Sequence, residues 1–246
     1  MTELDGPRSV GRLVRQLLDR VDRDTVEALG DVADLLIKSL RRGGLVYVAG
    51  SGHSLTMVCE TFYRAGGLAA VRPLWHPDLL PLSDALRSTR AERTPGLGTR
   101  VVGELNPSAE DVVVVFSTSG SNPYPIDVAK ACERRGIPVI AVTSRTAAAG
   151  ATARAETLLT DHADIVLDTA VPPGDSVYPG SDPRTSAVST LNASYIWAML
   201  LAELDVRAHD QGFELPRWRS ANVPDGDREN KALFDRYGPH IPELGQ

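Results

Sequence analysis

Cysteine is nearly absent: the 246 residues contain two, Cys59 and Cys132, each inside an apolar helical pattern. Both are expected to be buried small hydrophobes, and they offer no disulfide framework. Long hydrophobic runs are missing too. Apolar runs such as Val112 to Phe116 are far too short to cross a bilayer, so no membrane partner is expected. Positive charge is not in excess. The formal net charge is -6, which disfavours non-specific binding to nucleic acid or to an anionic membrane. The stretch MTELDGPRSV carries acidic residues and no apolar core, so it does not read as a secretory signal, and a cytoplasmic location is expected. No internal repeat or low-complexity segment stands out. What remains is ordinary for a globular chain, 42% hydrophobic and 24% charged, and long enough for one large α/β domain with a substantial core.

Between residues 10 and 40 apolar side chains recur at helical spacing, in the set Val10, Leu13, Val14, Leu17 and the set Val26, Leu29, Val32, Leu36, Leu40. This predicts two amphipathic helices, with Gly43 and Gly44 stopping the second. Eight basic and eight acidic residues precede Leu45. A charge-balanced helical face suits packing or dimerisation better than DNA. Residues 45–49 then form a β-branched run that leads into Gly50-Ser51-Gly52-His53-Ser54 and a helical segment to Ala65. A second strand is expected over 69–75. Residues 76–103 read as a long excursion with one short helix.

Val112 to Phe116 is a continuous apolar run of the kind buried on both faces of a parallel sheet. It gives way to Ser117-Thr118-Ser119-Gly120-Ser121-Asn122 and a helix through Arg135, closed by Gly136. Strands follow at 138–143 and 165–168, then a last long helix over about 185–206 and a polar tail from Pro216. Strands alternating with helices imply a three-layer α/β/α fold with a five-stranded parallel sheet and flavodoxin-like winding, preceded by N-terminal helices. The expected division is a helical extension at 1–44, a ligand-binding domain at 45–215, and a tail or lid at 216–246.

Both conspicuous loops lie at the carboxyl ends of strands, where such sheets bind ligands. The second offers four hydroxyls, an amide and a glycine at the start of a helix. Side-chain donors, free backbone N–H groups and the positive end of the helix dipole converge there on a site suited to a phosphate monoester. The first loop is not a dinucleotide fingerprint, because Leu55 stands where the third glycine would be. A phosphate loop of the Walker type also fails, for want of its Gly-Lys-Ser/Thr ending.

Taken together, a strand into Gly-Ser-Gly-His-Ser and a strand into Ser-Thr-Ser-Gly-Ser-Asn, with Ile126-Asp127 shortly after, resemble the sugar isomerase (SIS) domain over residues 45–206. Residues 51–68 and Asn122-Pro123 are similar to a stand-alone bacterial branch of that family. The resemblance implies that Ser51, Ser117, Thr118, Ser119 and Asn122 hold a sugar's terminal phosphate, with Gly52, Ser54 and Ser121 also touching substrate. Asn122 stands where the family commonly has threonine. At least a homodimer is implied. Where the phosphoheptose isomerases carry a His and a Glu one helical turn apart, this chain has Glu60 and Arg64. That departure argues against their metal-assisted chemistry, and neither a catalytic metal nor a cofactor is expected.

Enzymes of this kind abstract a proton beside a sugar carbonyl, usually with a carboxylate. Glu60 is the first candidate, seven residues after His53 and with Met57 and Phe62 near it, a setting that would raise its pKa. His53 is either a hydrogen-bonded structural residue or a group serving a ring or carbonyl oxygen. Glu92 lies in the long excursion, as a surface charge or as a residue that a partner subunit presents. The expected activity is removal of the C2 proton from an aldose 6-phosphate, an N-acetylhexosamine 6-phosphate such as GlcNAc-6-phosphate, with elimination of the C3 hydroxyl. An aldose–ketose isomerase is the alternative, and a non-catalytic phosphosugar sensor the second. The sensor is disfavoured because the segment before Leu45 is too short for a DNA-binding domain.

Overall fold

A computed structural model describes residues 6–245. Residues 1–5, part of the stretch read as lacking a secretory signal, and Gln246 lie outside the described residues. The first element is α1 (Gly6–Arg41), a single helix rather than the expected pair. The polar stretch around residues 19–24 contains no glycine or proline to break it. Within it Val21 is buried and the Thr25 hydroxyl donates to the Val21 carbonyl at 2.6 Å.

The sheet contains β1 (Val46–Ala49), β2 (Val71–Leu74), β3 (Val112–Phe116), β4 (Val139–Thr143) and β5 (Ile165–Asp168). All pairings are parallel and the order is β2-β1-β3-β4-β5. Every residue of β1, β3 and β4 is buried, so the apolar runs without alternation do mark strands covered on both faces. Pro73 is tolerated because β2 is an edge strand. The chain runs outward from β1 to β2, then returns to build β3, β4 and β5 on the other side. The reversal therefore falls between β1 and β3, and the two loops that follow these strands flank it.

The layers around the sheet come from α2 (Leu55–Thr61), α3 (Ala85–Arg93), α4 (Leu97–Leu105), α5 (Pro123–Glu133), α6 (Arg145–Ala149), α7 (Ser189–Asp210) and α8 (Gly226–Tyr237). Residues 76–103 thus hold two helices where one was expected. The long contact of α1 with α7 is fastened by Arg207 to Asp34 at 2.6 Å and by the Tyr195 hydroxyl to Asp22 at 2.7 Å.

Three boundaries differ from expectation, each for a local reason. The first-loop helix stops at Thr61 rather than Ala65, because Phe62 is extended and Tyr63 takes φ +46°. Tyr63, Trp218 and Phe234 then stack at centroid distances of 5.0 and 4.9 Å, which seats α8 against the end of α2. The last long helix begins at Ser189 rather than 185. Thr185–Ala187 is β7, antiparallel to β6 (Ser176–Tyr178), and Ser186 sits at φ +64°, outside helical geometry. Its far end runs to Asp210 because Leu204 and Ala208 extend the buried stripe.

One cysteine also departs from expectation. Cys132 is fully buried on α5, and burial pushes its thiol up to about 12 against the opposing pull of Arg135 and Arg134. Cys59 is exposed, because Leu55, Met57, Val58 and Thr61 make up the buried face of α2. We expect a thiol reagent at pH 8 to label one cysteine rapidly in the native protein and two after denaturation, with peptide mapping assigning the fast site to Cys59. Fast labelling of both would contradict this packing.

Candidate active site

A cavity of about 530 Å³ opens at the sheet's reversal point. One wall is the turn after β1, with Ser51, Gly52, His53 and Ser54. Ser51 is extended and Gly52 takes φ +55°, so the chain bends sharply into a short 3-10 turn before α2. The facing wall is the loop after β3, with Ser117, Thr118, Ser119 and Asn122. The roof is the face of α3 that carries Ser88, Thr89 and Glu92, and the start of α7 adds Ser189 and Thr190, with Asp175 from the turn before Ser176.

The loop after β3 is held by its own bonds. Gly120 adopts φ +60° and its N–H donates to the Ser117 hydroxyl at 3.2 Å. The Thr118 carbonyl accepts from the Ser144 N–H at 2.9 Å. Ser119 and Ser121 share a hydroxyl–hydroxyl bond of 2.9 Å. Ser121 is itself only 1% exposed and does not line the cavity. It stands behind Ser119, away from the cavity surface.

Asn122 precedes α5 and makes no side-chain cap. The helix opens Pro-Tyr-Pro, however, so two of its first three positions have no N–H. The free backbone N–H groups expected at that end are therefore fewer than at an ordinary helix start.

Glu92 is the carboxylate that faces the two loops. Its Oε2 accepts from the Ser51 hydroxyl at 3.1 Å, and a Cβ placed on Gly52 would lie 3.5 Å from that oxygen. The chain presents it from its own α3, with no partner subunit needed to bring it there. Asp175, which sequence reasoning missed, also borders the cavity, but its oxygens are taken by the N–H groups of Val188 and Ser189 and by the Ser189 hydroxyl, at 2.6–3.0 Å. It is a cap for the start of α7.

The apolar setting expected for Glu60 is not found. Glu60 pairs with Arg64 at 2.9 Å and does not line the cavity. Two features of α2 account for this. The turn at residues 52–54 is 3-10, which rotates His53 away from the face it would share with Glu60 on a continuous α-helix. Phe62 then leaves the helix in an extended conformation and so cannot cover the carboxylate.

Ser88, Thr89, Ser189, Thr190 and Arg154 are further polar groups that the sequence did not single out. Arg154, on the connection between α6 and β5, donates to the Asn122 side-chain oxygen at 3.2 Å. Nothing in its Ala- and Thr-rich surroundings marks it. Among the described residues no cluster of three or more His, Cys, Asp or Glu could hold a metal ion, and no helix is long and apolar enough to cross a membrane.

Comparison with known proteins bears on this geometry. The SIS domain family model matches residues 11–144. A UPF0309 protein from Listeria innocua is 35% identical over 238 residues, covering 95% of each chain, and one from Geobacillus kaustophilus is 32% identical over 235 residues, covering 94% of each. Among solved structures, a phosphoheptose isomerase from Francisella tularensis superposes with a TM-score of 0.56 at 20% identity, over 84% of this chain and all of that one. The phosphoheptose isomerase from Neisseria gonorrhoeae gives 0.54 at 21% identity, over 79% and 94%. The sugar isomerase domain of an RpiR transcription factor from Sphaerobacter thermophilus gives 0.53 at 14% identity, over 95% and 98%. These superpositions describe a shared fold, and it is the five-stranded parallel sheet with its flanking helices that they share. The matched family model and the near-full-length relatives go further: the chain belongs to the SIS domain family.

Proposed function

We propose that the cavity binds a sugar 6-phosphate and that Glu92 removes the proton from C2 of the opened sugar. The observation that carries this reading is the position of Glu92. Among the described residues it is the one cavity carboxylate not consumed by backbone N–H groups, and it sits across from the hydroxyl-rich loop. Ser117, Thr118, Ser119 and Asn122 hold the phosphate through uncharged donors, and Ser51 orients the carboxylate. His53 borders the same space and is suited to the carbonyl or ring oxygen. Glu60, ion-paired outside the cavity, is left out of the chemistry.

The substrate we favour is an N-acetylhexosamine 6-phosphate, with GlcNAc-6-phosphate as the test compound. Loss of the C2 proton to Glu92 gives an enolate conjugated with C1. An acetamido group at C2 has no hydroxyl to become a carbonyl, so aldose–ketose exchange is blocked. The electron pair instead expels the C3 hydroxyl, which leaves as water once protonated, and the product is an unsaturated aldehyde. Incubation with GlcNAc-6-phosphate in deuterium oxide is expected to yield an ultraviolet-absorbing enal. Neither enal nor deuterium at C2 would sink this reading. Conversion of glucose 6-phosphate to a ketose in its place would identify an isomerase that shares only the first step.

A further inference from the structure

Among the described residues the cavity is bordered by two carboxylates, Glu92 and Asp175, and by no lysine or arginine. A phosphate dianion entering it therefore meets unfavourable charge, and the Pro-Tyr-Pro start of α5 supplies fewer backbone donors than a helix end usually does. Uncharged donors can bind the phosphate but leave its double negative charge without a counter-charge. Arg154, just beyond the lining and in contact with Asn122, is a group that can supply one.

Its reach is built into the fold. The connection carrying Arg154 is pinned to the loop after β3, because the Leu159 N–H donates to the Gly120 carbonyl at 2.9 Å and Leu159 is fully buried. His162 fastens the same connection, bonding Glu133 at 2.7 Å and Thr157 at 3.0 Å. From that base the Arg154 guanidinium meets Asn122, itself part of the cavity lining, at 3.2 Å. Arg154 forms no ion pair among the described residues, so its charge is uncompensated. One N–H is used on Asn122, and the planar guanidinium has others to give.

We propose that Arg154 is a substrate-recognition residue that supplies the positive charge for the phosphate, selecting phosphorylated over neutral sugars. This rests on the phosphosugar reading above. It adds a residue outside both loops, and outside the residues 11–144 matched by the family model. When phosphate occupies the loop, the guanidinium donates to phosphate oxygens while Asn122 keeps it in place, a charge-assisted contact of the strongest kind available to side chains.

The test is calorimetric binding of GlcNAc-6-phosphate, inorganic phosphate and unphosphorylated GlcNAc to wild type, Arg154→Gln, Arg154→Lys and Ser119→Ala, at low and high salt. Arg154→Gln is expected to weaken phosphate and sugar-phosphate binding about tenfold or more and to flatten its salt dependence. Arg154→Lys should recover part of both, with circular dichroism and melting temperature unchanged throughout, since the side chain is exposed. Unchanged affinity and salt dependence in Arg154→Gln, with affinity lost in Ser119→Ala, would overturn the role of Arg154 and leave the phosphosugar reading standing. A folded wild type that binds neither phosphate compound would remove both.

Discussion

Glu92→Gln is expected to lower turnover of GlcNAc-6-phosphate about a thousandfold while leaving its binding within a few-fold of wild type. The substitution keeps the side chain's length and an oxygen that can accept from Ser51, so the geometry of the roof survives. What it removes is the ability to take a proton. In the proposed binding mode the phosphate lies on the opposite wall, against groups that do not touch Glu92, so affinity and turnover should separate cleanly. Single-turnover kinetics and calorimetry on the same preparation would measure both. Glu60→Gln serves as the control and should keep near-normal turnover, because that side chain is ion-paired with Arg64 outside the cavity. The reverse pattern, with Glu60→Gln inactive and Glu92→Gln active, would transfer the base to α2 and refute the assignment.

Phe116→Ala should carry the largest stability effect near the site, about 3–5 kcal/mol. Phe116 ends β3, is 2% exposed, and packs edge-on against Trp197 of α7 at a centroid distance of 6.2 Å. Truncation leaves a void between sheet and helix that the rigid strand cannot close. It also loosens the residue immediately before Ser117, so sugar-phosphate affinity should fall with stability. Denaturant melts would show a lower midpoint at unchanged slope. Phe116→Leu, closer in volume, should cost less than about 1.5 kcal/mol. A loss below about 1 kcal/mol for the alanine variant would mean that β3 and α7 are not locked together in this way.

The strands were legible because their cause is local. Runs such as Val112 to Phe116 have no polar alternation, and only a strand covered on both faces accommodates that. Both loops were legible too, since clustered hydroxyls and glycines between a strand and a helix have few other uses. The long helices were harder. Nothing between residues 10 and 40 distinguishes one helix from two except the absence of a breaker, and the start of α7 is set by the pairing of β7 with the distant β6. The acid–base assignment was harder still, because Glu60 and Glu92 look alike along the chain.

By itself the sequence determined the loop from Ser117 to Asn122, the strands that carry it, and the exclusion of dinucleotide and Walker-type phosphate sites. These depend on residue types at short spacing, which folding does not rearrange. Only the tertiary structure decided which carboxylate meets the loop and where a cation stands. Glu92 arrives from a helix 41 residues after Ser51, and Arg154 from a connection 32 residues after Asn122. No local pattern encodes such approaches. They follow from how α3 and the segment before β5 pack across the ends of the sheet, a matter of the whole core and not of any one stretch of chain.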